Sequence, residues 1–268
     1  MKCGIIITGG QPRIQAELAE LAEQKGWDGA FTWDGIAVSD GDTYDPWVIM
    51  AAMAMRTEKL RLGAIITPPS RRRPWKLARE SMTLDRLSNG RLILPVGMGV
   101  LDDQGFGNVG EETDRRLRAV RIDETLAILE GLWSGESFGF SGQQYRFEPM
   151  TFRPTPVQRP RIPIWVVGLW GSDKSMQRVL RYDGFLANVR APEGGQGNLT
   201  PELMHEMREW IGSRRSLEGF DLVSEGTSQS ATDVEPWRQA GATWWIEADW
   251  STFDPTAIRR RIESGPPR

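Results

Sequence analysis

One cysteine, one histidine and three tyrosines are all that the 268 residues hold of those types. A lone Cys3 excludes a disulfide within the chain and any Cys-based zinc or iron–sulfur site built from one chain. A lone His205 likewise excludes a multi-histidine metal site, so no metal site is expected. Apolar runs are only a few residues long, far short of the ~20 that cross a bilayer. The run Ile5-Ile6-Ile7 is too short for a signal peptide, and a cytoplasmic protein is expected. Neither sign of charge dominates: 33 Lys and Arg against 36 Asp and Glu leave a formal net charge of −3. That balance argues against a protein made to grip nucleic acid or an anionic membrane.

What is present suits a globular α/β chain: 39% apolar and 26% charged residues, with 29 Gly and 17 Pro. Twelve tryptophans are a heavy load. Each can serve as core, as interface, or as the wall of a pocket for a planar ligand.

Strand and helix patterns alternate along the chain. Strands are expected at 2–8, 30–33, 60–67, 91–96, 164–167, 184–187, 220–225 and 243–247. Ile14, Leu18, Leu21 and Ala22 share one helical face. Asp45-Pro46 opens a helix through Met55, and Pro74–Leu87 forms another, ended by Ser88-Asn89-Gly90. Ile122, Leu126, Leu129 and Trp133 mark a fourth helix. A small hairpin, Phe138–Phe140 with Gln144–Phe147, is expected in the stretch 134–163. Lys174–Arg181 is helical, Thr200-Pro201 caps the next helix, Thr232 with Glu235 predicts a capping box, and Asp254-Pro255 starts a terminal helix. Eight such units of about 33 residues fit a single (β/α)8 TIM barrel spanning residues 1–268, with its longer excursion between strands four and five. A doubly wound open sheet is the alternative, although the chain has no nucleotide fingerprint.

In such a barrel the chemistry lies just beyond the C-terminal ends of the strands. Those positions hold Trp33-Asp34-Gly35, Thr67-Pro68-Pro69 followed by Arg71-Arg72-Arg73, Gly97-Met98-Gly99, Gly168 to Lys174, Asn188 and Glu247. The glycines at 97, 99, 168 and 171 either let a flat or phosphorylated ligand approach the backbone or merely permit turns. Gly168-Leu169-Trp170-Gly171-Ser172-Asp173-Lys174 also leads into a helix N-terminus, which attracts anions.

The blocks Arg56–Gly63, Thr67-Pro68, Arg72–Arg79 and Thr83–Arg91 closely resemble the bacterial luciferase-like monooxygenase superfamily. Gly26–Gly29, Asp45-Pro46-Trp47, Leu132–Glu136, Pro156–Pro160 and Tyr182-Asp183-Gly184 add to the likeness. It covers about residues 14–190, while the tail beyond Asn188 is similar only in architecture. The resemblance implies an oxidoreductase or monooxygenase that binds FMN or the deazaflavin coenzyme F-420 at the barrel mouth and acts on a small organic substrate. With FMN, a separate reductase would deliver reduced flavin. Carried over by position, Trp33, Asp34, Thr67, Gly97 and Met98 border the ring, with Asn188 nearby; of the tryptophans, Trp170 is the one most readily placed over a cofactor. Gly168, Gly171, Ser172 and Lys174 hold the phosphate. A non-prolyl cis peptide is implied near Gly63-Ala64, and family habit together with the tryptophan load implies a homodimer.

One departure stands out. Many members carry histidine after the Trp-Asp pair, where this chain has Gly35. Asp34 is then the candidate for proton transfer, or else a carboxylate capping its loop. Arg71–Arg73 either hold an acidic tail or substrate or form ion pairs at the start of the helix. Arg259–Arg261 read as a surface face, His205 as a helix-surface residue, Cys3 as packing, and Trp244-Trp245 as pointing to opposite sides of their strand. Two other readings stay open: a catalytically inactive flavin-binding or structural barrel, and a metal-dependent hydrolase with a carboxylate-only site.

Overall fold

The computed structural model describes residues 1–38, 41–191 and 197–268. Its strands and helices run β1 (Lys2–Ile6), α1 (Pro12–Gln24), β2 (Gly29–Thr32), α2 (Pro46–Arg56), β3 (Arg61–Ala64), α3 (Pro74–Leu87), β4 (Leu94–Val96) and α4 (Arg115–Trp133). A hairpin β5 (Ser137–Ser141) and β6 (Arg146–Thr151) follows, then β7 (Ile164–Leu169), α5 (Asp173–Val179), β8 (Gly184–Asn188), α6 (Pro201–Gly212), β9 (Asp221–Gly226), α7 (Ala231–Gln239), β10 (Trp244–Glu247) and α8 (Pro255–Glu263). Eight strands form one parallel sheet in the order β3-β2-β1-β10-β9-β8-β7-β4. Bridges Leu62–Leu92 and Thr67–Val96 bring β3 against β4 and round the sheet into a barrel.

Local signals decided where helices begin. Asp45 accepts the N–H groups of Trp47 (2.9 Å) and Val48 (3.0 Å), and Asp254 those of Thr256 (2.9 Å) and Ala257 (3.3 Å). In each case the proline at the first helical position has no N–H to leave unsatisfied. Three expectations are corrected. The capping box before α7 is built by Ser230 and Asp233, not Thr232 and Glu235: the Asp233 carboxylate accepts from the Ser230 N–H at 3.0 Å, so the helix starts earlier. The non-prolyl cis bond is Ile65–Ile66. Gly63 and Ala64 are still in register with Phe31 and Thr32, and the chain leaves the ladder only after them. The hairpin pairs Ser137–Ser141 with Arg146–Thr151, longer on both sides than the apolar residues alone suggested.

Aromatic side chains fill the barrel interior. Phe31, Trp165 and Trp244 pack with ring centroids 5.3–6.0 Å apart. They belong to an interior cluster with Ile6, Ile93, Val223 and Ile246. Indoles of this size fit because small residues face them. A Cβ at Gly184 would lie 2.2 Å from the Trp165 ring. Adjacent Trp245 faces outward onto Trp237 of α7 (5.9 Å), as strand alternation requires.

The block 83–91 is architectural. Asp85, fully buried, accepts from Val157 N (2.6 Å), Gln158 N (3.1 Å) and Gln158 Nε2 (2.7 Å), pinning the proline-rich return to α3. Asn89 adopts φ +53° and Gly90 φ +79°, reversing the chain after α3. Arg91 then runs back under α2 and donates to the carbonyls of Ala54, Thr57, Leu60 and Ser88 and to Thr57 Oγ1, at 2.6–3.0 Å.

Candidate functional site

Two concavities adjoin at the C-terminal end of the barrel. A mouth of about 630 Å³ lies above the aromatic core, with Ile65, Ile66, Val167, Leu186 and Val223 among its apolar lining and Trp33, Trp237, Trp250 and Phe253 also around it. A cleft of about 1430 Å³ runs between the start of α4 and the β7–α5 turn. Both are lined by Ile66, Gly99, Val100, Val167 and Asn188, so a ligand can occupy the two together.

The sequence-expected residues divide between these spaces. Trp33 and Asp34 line the mouth, Asn188 lines both spaces, and Gly97, Met98, Trp170, Gly171, Ser172 and Lys174 line the cleft. Thr67 is fully buried and lines neither. Gly168 also lines neither, and its lack of a Cβ has a packing reason. A methyl there would lie 2.5 Å from Val179 of α5 and 2.7 Å from Phe185 of β8. Gly171 has φ +78°, the turn's own demand. Trp170 packs edge-on against Trp210 of α6, centroids 5.8 Å apart.

Trp33 is held by an indole N–H donated to Thr8 O (2.8 Å) and by an edge contact with Phe253. Its ring also accounts for Gly35, since a Cβ at that position would lie 2.3 Å from Trp33 Cζ3. A histidine at 35 would have to displace the indole.

Asp34 is not a free acid. Its side chain is completely buried and its oxygens accept from Arg72 Nε and Nη2 (2.8–3.1 Å) and Arg71 Nη2 (3.0 Å). Arg71 also donates to Asp34 O and to Asp103. Asp103 in turn accepts the N–H groups of Ile36, Ala37 and Gly105 at 2.9–3.0 Å. Burial acts to raise the Asp103 pKa, but these N–H donors and the Arg71 guanidinium outweigh it and hold the carboxyl at about 2. Phe106, beneath the guanidinium groups of Arg71 (4.9 Å) and Arg118 (4.4 Å), completes the unit. The Arg71–Arg72 cations are thus spent on carboxylates of the loops after β2 and β4, fixing one wall of the mouth.

The cleft is basic. Arg115, Arg116 and Lys174 face it with no acidic partner among the described residues, whereas Arg178 and Arg181 share Asp123. No group of His, Cys, Asp and Glu able to hold a metal occurs among the described residues. Glu247, a sequence candidate, turns outward and pairs with Arg261 (2.9 Å) and Ser228.

Sequence reasoning missed Glu225. Val223, two residues earlier on β9, faces the barrel interior, so alternation aims Glu225 into the mouth, which it lines. Its side chain lines that concave surface and is exposed to solvent there. Removal from bulk water raises its pKa, with the Trp250 indole acting the other way. Strand parity was the available signal, but it needs the strand's exact register.

The luciferase-like monooxygenase family model matches residues 3–265. The chain is 28% identical over 240 residues to the F-420-dependent glucose-6-phosphate dehydrogenase of Nocardia farcinica, covering 84% of this chain and 67% of that one. It is 30% identical over 186 residues to the FMNH2-dependent dimethylsulfone monooxygenase of Pseudomonas putida, covering 66% and 49%. The chain spans about half the length of the curated relatives it matches at 30–34% identity. Among solved structures, the coenzyme F-420-dependent tetrahydromethanopterin reductase of Methanopyrus kandleri superposes with a TM-score of 0.72 at 16% identity, covering 98% of both chains. That similarity shows the barrel fold. Taken with the match over nearly its whole length, the chain belongs to the luciferase-like monooxygenase family.

Proposed function

We propose that the protein is an oxidoreductase that places the ring of FMN or of the deazaflavin F-420 at the mouth and the anionic tail in the basic cleft. The observation that carries this reading is the continuity of an apolar mouth with a cleft whose Arg115, Arg116 and Lys174 have no acidic partner among the described residues. Its donor set suits a planar ring with a phosphorylated chain: apolar walls and indoles at one end, Arg115, Arg116, Lys174 and the Ser172 turn at the other. The relatives named above depend on the same two cofactors. When bound, such a ring supplies hydride transfer or oxygen activation. The protein's part is positioning: Trp33 and Asn188 border the ring, and the Arg71 network keeps the wall rigid and dry. Because Arg71, which lines the mouth, and Arg72 behind it are both engaged by carboxylates, neither awaits an anionic substrate. An uncharged, largely apolar small molecule fits. With FMN the reduced flavin would come from a separate reductase.

Quenching of tryptophan fluorescence by F-420, FMN and reduced FMN tests this. One of them is expected to bind at micromolar concentration, and Lys174→Glu with Arg116→Glu to weaken it at least about tenfold by opposing the tail's charge. Preference for F-420 selects hydride transfer, and preference for reduced FMN selects oxygenation. No quenching well above micromolar would sink the reading and leave an inactive scaffold. We also propose a homodimer, supported by Val48 (66% exposed) and Met55 (70% exposed) on α2. Light scattering should give twice the 30.2 kDa chain mass, and a monomer would refute it.

A further inference from the structure

Resting on the cofactor reading above, we infer that Glu225 is the residue that exchanges a proton with the ligand held in the mouth. Among the described residues three acids line that space: Asp34, Asp103 and Glu225. The first two have their oxygens taken by Arg71, Arg72 and loop N–H groups in buried ion pairs, so neither offers a free oxygen to a ligand. Glu225 has no guanidinium or ammonium partner and no backbone N–H bond among the described residues. It emerges above Val223 from a wall that also carries Val167, Leu186 and Trp237.

Its surroundings leave that carboxyl free to change charge. On the neighbouring strand β8 the mouth-facing polar residue is neutral Asn188, and Arg190 beyond it lines the cleft. On β10, Glu247 is turned away and bound to Arg261. From α7 the residue in the mouth is Trp237. The other charges lining it among the described residues, Asp34, Asp103 and Arg71, are tied to one another or to Arg72. A ligand entering the mouth therefore displaces water from Glu225 without offering it a protein cation from the described residues. The physical consequence is proton uptake: removing water disfavours the carboxylate and favours the acid. Once protonated, Glu225 can give its proton to a substrate oxygen gaining charge. As carboxylate it accepts the proton of a substrate hydroxyl: one Oε–H bond forms as the substrate O–H bond breaks, and the electron pair stays on the substrate oxygen.

The sign of the pH effect follows. A Glu225 pKa raised by partial removal from bulk water and raised further by ligand means that affinity is full below the free-protein pKa. It then falls about tenfold per pH unit as pH rises through the window up to the bound-state pKa. Calorimetric titration of the whole chain with F-420, and separately with FMN, in buffers of different ionisation enthalpy counts the protons taken up. Wild type is expected to take up close to one near the midpoint of its affinity profile, and Glu225→Gln none, with a flat profile. Equal uptake by both proteins while both bind would overturn the inference and leave the cofactor reading standing. No binding by wild type is the failure of the cofactor reading itself. If Glu225→Gln does not fold, the wild-type infrared band of the protonated carboxyl decides: its pH midpoint must lie above the ordinary glutamate range and rise on ligand saturation. A midpoint that ligand leaves in place overturns the inference.

Discussion

Replacing Arg71 by methionine is expected to cost about 3–5 kcal/mol and to abolish cofactor binding in the folded remainder. Arg71 is 4% exposed, and its partners Asp34 and Asp103 are 0% and 3% exposed. Methionine fills similar space but leaves Asp103 a buried carboxylate without a cation. Asp34 keeps Arg72, so the loss falls on the junction between the loop after β2 and the loop after β4. That junction is one wall of the mouth, and its loosening should appear as lost quenching by F-420 or FMN. Lysine should not rescue: one ammonium cannot reach Asp34 O, Asp34 Oδ1 and Asp103 in the fork that guanidinium supplies.

The effect has a pH signature. Asp103 in the wild type is held at about 2, below its ordinary value, so its contribution is full above that ordinary value and fades as pH falls through about 4 toward 2. The difference between Arg71→Met and wild type in urea unfolding should be greatest near neutrality and shrink below pH about 4. A difference of less than about 1 kcal/mol at pH 7, within the range of an exposed pair, would show that the network does not brace the wall.

Arg91→Met is expected to lose at least about 3 kcal/mol, without a direct effect on cofactor affinity in molecules that fold. Arg91 is 8% exposed and satisfies four carbonyls and one hydroxyl of the α2 C-terminus and the turns beside it. Methionine strands those acceptors away from water, and each buried orphan costs about 1–3 kcal/mol. Burial lowers the Arg91 pKa, as its desolvation requires, with the nearby Glu23 charge opposing. Urea unfolding and quenching on the same sample separate the two effects. A folded protein of normal stability, or one with normal stability and lost binding, would refute this assignment.

The two arginines show how far the sequence could be read. The block Thr83–Arg91, which carries much of the likeness to the family, maps to a turn whose Asp85, Asn89, Gly90 and Arg91 secure backbone, and none of these lines the mouth or the cleft. A motif can therefore announce a family through its scaffold. Helix starts at Asp45-Pro46 and Asp254-Pro255 were legible because capping is settled within three or four residues, and the start at Pro74 because proline suits the first helical position. The capping box before α7 was misplaced by two residues, because Ser230, Thr232, Asp233 and Glu235 offer competing pairings that only packing resolves. Asp34 and Arg71–Arg73 stood out as charged residues past strand ends, yet their pairing spans 37 and 38 positions and also involves Asp103. No local pattern contains that information.

The sequence by itself determined that the chain alternates strand and helix around an eight-stranded barrel, that three of its helices begin at Asp/Thr-Pro caps, and to which family it belongs. Periodicity, capping and motif spacing are local, and local interactions suffice to specify them. Which acids are free and which are spent was decided only by tertiary structure. The barrel brings Asp34, Arg71 and Asp103 from three loops into one buried ion network, turns Glu247 outward to Arg261, and leaves Glu225 facing the mouth. A carboxylate's chemistry depends on charge and solvent within a few ångströms, and in a barrel those neighbours come from elements far apart in the chain.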